Sequence, residues 1–116
     1  MIRALLIGAT FCSCTIAYAQ EMKCEVKDKY VCESGGCKPL PAKVWNVVDA
    51  NKRTYARCDS AGCDKYDAQI SQAGTFVNID IPTRGIIAKM AVDGSTFHEV
   101  ATLMHVVYVS FGSCKK

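Results

Sequence analysis

Apolar and polar side chains alternate along most of this chain, and turn residues interrupt the alternation at short intervals. Tyr66, Ala68 and Ile70 alternate with Lys65, Asp67 and Gln69, the period of two that marks a half-buried strand. Val77, Ile79 and Ile81 share one face of the run from Thr75 to Ile81, and Ser71 to Gly74 turns the chain before it. Lys43 to Val48 is β-branched and aromatic, and Arg53 to Cys58 runs back after the turn at Asp49-Ala50-Asn51-Lys52. Ile86 to Val92 follows the break at Pro82-Thr83-Arg84-Gly85, and Asp93-Gly94 is a strong hairpin signal. Phe97 to Leu103 and Val106 to Phe111 complete the pattern, although Leu103-Met104-His105 contains no turn residue. Phe97 to Phe111 therefore also reads as one long bent strand. Pro39 and Pro41 oppose regular structure around them.

With the strand that ends at Cys32, these runs amount to about eight, and none shows sustained helical periodicity. The expectation is an all-β fold, a small antiparallel meander forming a closed or partly open barrel, with a β-sandwich as the alternative. Closure is favoured because it removes the exposed edges through which small β proteins aggregate.

The first residues break the pattern. Arg3 provides a positive start, Ala4 to Ile16 is apolar, and Ala17-Tyr18-Ala19 offers small side chains at the positions signal peptidase reads. Residues 1–19 are expected to be a signal peptide and residues 20–116 a single domain, periplasmic or secreted after cleavage near Ala19. Phe11 suits poorly the small-residue environment that lipidation at Cys12 or Cys14 wants. No later apolar run reaches the length of about 20 residues that a membrane-spanning helix takes.

Removing residues 1–19 takes Cys12 and Cys14 away, so the eight cysteines become six. An even number of cysteines behind an export signal points to three disulfides. Cys32-Glu33-Ser34-Gly35-Gly36-Cys37 and Cys58-Asp59-Ser60-Ala61-Gly62-Cys63 repeat one pattern: an acid, Ser, a small residue and Gly between two cysteines. Such turn chemistry brings the two ends together. Local pairs Cys32–Cys37 and Cys58–Cys63, with Cys24–Cys114 joining the two ends, are the preferred set; cross-pairing of the two units is the alternative.

Charge and motifs narrow the function classes. Fourteen basic and eleven acidic side chains give a formal charge of +3, without the concentrated basic footprint of a nucleic-acid binder. There is no C-x-x-C, no nucleophile elbow, no Walker loop and no calcium-loop order around Asp59, Asp64 and Asp67. His98 and Glu99 are strand neighbours and point to opposite faces, and His98 and His105 do not share a face either. No catalytic residue and no cofactor is assigned. The four cysteines Cys32, Cys37, Cys58 and Cys63 make zinc binding the alternative, at the loose end of ligand spacing. An enzyme of unrecognised class ranks third.

What remains is a surface. Tyr30, Trp45, Lys52, Arg53 and Tyr55 are the candidate binding residues, since aromatic and arginine side chains dominate hot spots; Trp45 suits the centre of a small barrel better than a surface. The expected function is a non-enzymatic exported binding or accessory protein whose disulfide-rigidified loops meet a protein or envelope partner. In architecture alone, an exported, cysteine-linked, eight-strand module resembles the small periplasmic barrels that inhibit lysozyme. Their inhibitory loop motif is not present, so the resemblance implies no residue role.

Overall fold

The computed structural model describes residues 21–41 and 43–116, and the expected signal peptide lies outside the described residues. The described chain forms β1 (Met22–Glu33), β2 (Gly36–Pro39), β3 (Trp45–Asp49), β4 (Thr54–Asp59), β5 (Gly62–Asp67), β6 (Gln69–Ala73), β7 (Phe76–Ile81), β8 (Ile86–Ala91), β9 (Phe97–Leu103) and β10 (Val106–Lys115). Nine strands hydrogen-bond in the order β5-β4-β3-β1-β10-β9-β8-β7-β6, and β2 pairs with β1 beside that path. Every pairing is antiparallel. One continuous sheet curls into a nearly closed barrel, the all-β architecture that the alternation predicts.

Ten strands form among the described residues where the pattern suggests about eight. Alternation of Met22, Cys24 and Val26 with Lys23, Glu25 and Lys27 belongs to the long strand β1. Pro39 does not prevent regular structure: it pairs with Tyr30 in the edge strand β2, where a missing N–H costs no ladder bond. Phe97 to Phe111 is not one bent strand, because Met104 takes φ 57° and a tight turn separates β9 from β10.

The run through Tyr66, Ala68 and Ile70 is where the sheet closes. Its side-chain phase persists, but its partner changes: residues up to Asp67 pair with β4 and residues from Gln69 pair with β7. The two sheet edges are thus joined by Ala68, whose N–H donates to the Arg53 carbonyl at 3.0 Å. Tyr66, Ala68 and Ile70 pack against the same core as Val48, Tyr55, Val77, Ile79, Met90 and Phe97.

A second irregularity turns a lysine inward. Met22, Cys24 and Val26 face the core side, but the register of β1 against β10 shifts between Val26 and Asp28. This extra residue reverses the phase, so Lys29 lies opposite Ser110, on the barrel side of β10. The two backbones come so close here that a Cβ on Gly112 would sit 1.8 Å from the Glu25 carbonyl oxygen. Glycine is required by space at this position.

Cys24–Cys114, Cys32–Cys37 and Cys58–Cys63 are disulfides. The first is buried between β1 and β10; the others close the β1–β2 and β4–β5 hairpins across opposed positions. Gly36 and Gly62, each just before the second cysteine of its unit, take φ 128° and 138°, which a side chain would oppose. The sequence repeat is thus a repeated hairpin device. Since β3 alone lies between β1 and β4 in the sheet, these strands run the same way and their hairpins leave from the same end of the barrel.

Candidate functional site

Alternation along β9 buries Phe97, Glu99 and Ala101 on one side, so a carboxylate goes into the barrel with its apolar neighbours. Glu99 is 1% exposed, and a charge at that depth needs partners. They come from across the lumen. Asn46 on β3 and Tyr55 and Arg57 on β4 project toward it. Tyr55 Oη donates to Glu99 Oε2 at 2.5 Å, and Asn46 Nδ2 donates to the same oxygen at 2.9 Å and also to Tyr55 Oη. Arg57 adds a fork, Nε to Oε2 at 3.2 Å and Nη2 to Oε1 at 3.1 Å. Two-pronged guanidinium–carboxylate pairing of this kind fixes geometry as well as energy. Both halves of the sheet are therefore bridged through one carboxylate.

Burial, and after it the Glu99 charge, holds the Tyr55 hydroxyl well above the usual tyrosine pKa. Tyr55 therefore remains a donor when an unfolded tyrosine has lost its proton. The folded state binds the extra proton, so this part of the stability is intact below about pH 10 and declines as pH rises beyond it. Denaturant titrations at about pH 7 and pH 11 should show that decline in the native protein, and Tyr55→Phe should remove its share of it. At neutral pH the same change should cost about 1–2 kcal/mol, from the lost hydroxyl bond. An alkaline decline that is identical in the two proteins would contradict the assignment.

Beyond the bridge, toward the end where the hairpins leave, two hollows share Lys29 and Arg57 as walls. One, of about 150 Å³, is lined also by Asn46, Asp59, Asp64, Glu99 and Ser110. The other, of about 310 Å³, is lined also by Tyr66, Arg84, Ile86, Ala101, Thr102, Leu103 and Tyr108. Its cations lie against aromatic faces: Arg84 is 5.3 Å from the Tyr66 ring centre and Lys29 Nζ is 5.5 Å from that of Tyr108. Burial lowers the Lys29 pKa, Arg57 lowers it further, and Glu99 acts in the opposite direction. Arg57–Glu99 is the ion pair found among the described residues.

The outer wall has a different chemistry. Antiparallel partners share a side of the sheet, so the registers align Pro39, Tyr30, Val109, Val100 and Ile87 in one row across β2, β1, β10, β9 and β8. Phe111 stands one position along, edge-on to Tyr30 with ring centres 6.4 Å apart. Ile87 is 61% exposed, Phe111 46% and Val100 37%. The Cys32–Cys37 disulfide lies on the same side of β1 as Tyr30, opposite Val107.

The five residues expected to form a binding surface do not come together. Tyr30 joins the outer row. Trp45 is half-buried at the start of β3, with Lys23 Nζ 5.1 Å from its ring, so it is neither the core centre nor a neighbour of Tyr30. Lys52 and Arg53 are exposed in the β3–β4 turn at the other end of the barrel. Tyr55 is wholly buried and cannot contact a partner; its ring is core and its hydroxyl belongs to Glu99. The four cysteines of the zinc alternative are oxidised in two separate hairpins, and the described residues contain no metal-binding cluster of His, Cys, Asp and Glu. As expected, His98 and Glu99 point apart: Glu99 is buried, while His98 is half-buried against Phe111 on the outer wall.

Sequence reasoning missed Glu99, Asn46, Arg57, Lys29 and Arg84. A signal existed for two of them. Glu99 is in phase with Phe97 and Ala101, and Asn46 with Val48, so each is a polar residue at a core position of its strand. The chain matches no protein-family model, no curated protein and no solved structure.

Proposed function

We propose that this chain is an exported, non-enzymatic binding protein that grips a protein partner in the cell envelope or outside the cell. The contact is the outer wall of β1, β8, β9 and β10, extended by the disulfide-closed β1–β2 hairpin. The observation that carries this reading is the in-register row Pro39, Tyr30, Val109, Val100 and Ile87. An apolar stripe left on an outer wall is the kind of patch that marks a protein contact site, and aromatic anchors such as Tyr30 and Phe111 suit it. The Cys32–Cys37 staple fixes the edge of the wall before binding, which reduces the ordering cost of association. Three disulfides support an oxidising compartment. Among the described residues no helix is long and apolar enough to cross a membrane.

The test is capture from an envelope extract by the immobilised oxidised protein, with Ile87→Glu/Val100→Glu and Cys32→Ser/Cys37→Ser beside it. Two charges in the row, which the partner would have to bury, should reduce recovery of the captured protein at least about tenfold. The hairpin variant should weaken it less, because only pre-ordering is lost. No captured protein, or one retained equally by the Glu variant, would overturn the proposal.

A further inference from the structure

A second surface, independent of the outer wall, points to a small ligand. The larger hollow at the barrel mouth presents Lys29, Arg57 and Arg84 with no carboxylate in its lining. Asp59 and Asp64 line the smaller hollow instead, and Glu99 is committed to Arg57. Lys29 is half-buried in this position only because the β1 irregularity turns it inward. Arg84 sits on the short 3-10 turn Pro82–Arg84, which is tied to β9 where Thr102 N–H donates to the Gly85 carbonyl at 2.9 Å. Both side chains rest on tyrosine rings, which pre-position their cationic groups, and Lys29 is also partly dehydrated by burial. With Arg57 paired to Glu99, Lys29 and Arg84 are the cations left facing a hollow whose lining holds no acid, and they fit an anion.

Apart from Thr102, the rest of the lining is apolar or aromatic: Ile86, Ala101, Leu103 and the two tyrosines. About 310 Å³ lies at the lower end of small-molecule sites. We infer that the barrel mouth binds a small amphipathic anion, a single carboxylate or phosphate head on a short apolar body. The head sits between Lys29 and Arg84 and the body lies against Ile86 and Leu103.

Titration calorimetry on the oxidised protein tests this with octanoate and octyl phosphate, and with octanol and octylammonium as controls. At least one anion should bind with a Kd below about 1 mM, and the tighter of the two identifies the head group. Octanol and octylammonium should bind at least about tenfold more weakly, as should the tighter anion to Arg84→Gln or Lys29→Gln. Arg84 is exposed, so its variant keeps the test valid if the Lys29 variant fails to fold. Ile87→Glu/Val100→Glu should bind the anion unchanged, which separates this site from the partner wall. Binding of octanol as tight as that of the anions, or an affinity indifferent to Arg84→Gln, would overturn the inference.

Discussion

Replacing Cys24 and Cys114 together by alanine is expected to lower the unfolding free energy by about 4–5 kcal/mol. The two residues are 90 apart in sequence, and the chain-entropy cost of leaving so long a loop open is about 4.6 kcal/mol. Both side chains are buried, so the loss of packing acts in the same direction. For comparison, each hairpin disulfide spans a sequence separation of 5 and should contribute about 2 kcal/mol. A domain of this size has about 5–15 kcal/mol in total, so the Cys24–Cys114 variant should lose at least about a third of its stability. Guanidinium denaturation of the three paired-cysteine variants measures this order directly. A terminal variant no weaker than the hairpin variants would show that the β1–β10 seam holds without its cross-link.

Glu99→Ala should be the most damaging single replacement of a polar residue, at about 3 kcal/mol. Removing the carboxylate leaves the Asn46 amide, the Tyr55 hydroxyl and the Arg57 guanidinium without their shared acceptor. Arg57 is 30% exposed, so water compensates part of its loss and holds the cost at the lower end of what breaking a buried pair takes. Glu99→Gln keeps the shape and one acceptor oxygen and should cost less, about 1–2 kcal/mol. Equilibrium denaturation of both variants at neutral pH, with near-ultraviolet circular dichroism for the buried Tyr55, reads the difference. A loss below about 1 kcal/mol in Glu99→Ala would mean that the two sides of the barrel are not tied through this residue.

The β architecture is legible in the sequence because its cause is local. Strand alternation, the Asp93-Gly94 turn and the twin C-x4-C units each depend on residues close together in the chain, and so do the two local disulfides. Cys24 and Cys114 are the two cysteines that remain once those units close on themselves. The candidate site is not legible, because long-range register decides it. Tyr55 has the composition of a binding residue, yet β4 turns it into the lumen toward a carboxylate 44 residues away. Lys29 faces inward only because one extra residue in β1 reverses the alternation that Met22, Cys24 and Val26 establish. The row from Pro39 to Ile87 is made of residues from five strands and exists only once the sheet is assembled. Glu99 and Asn46 are the exceptions: alternation alone puts the acid in phase with Phe97 and Ala101 and the amide in phase with Val48, and an acid at a core position requires a buried partner.

We propose that this chain is exported, and its three disulfides are particular pairs that an oxidising compartment would complete. Non-reducing peptide mapping of the protein recovered from an export-competent host tests this most directly. The predicted map starts at Gln20, links Cys24 to Cys114, Cys32 to Cys37 and Cys58 to Cys63, and leaves no thiol open to alkylation. Peptides retaining residues 1–19, free thiols at the hairpins, or links joining one C-x4-C unit to the other would contradict it.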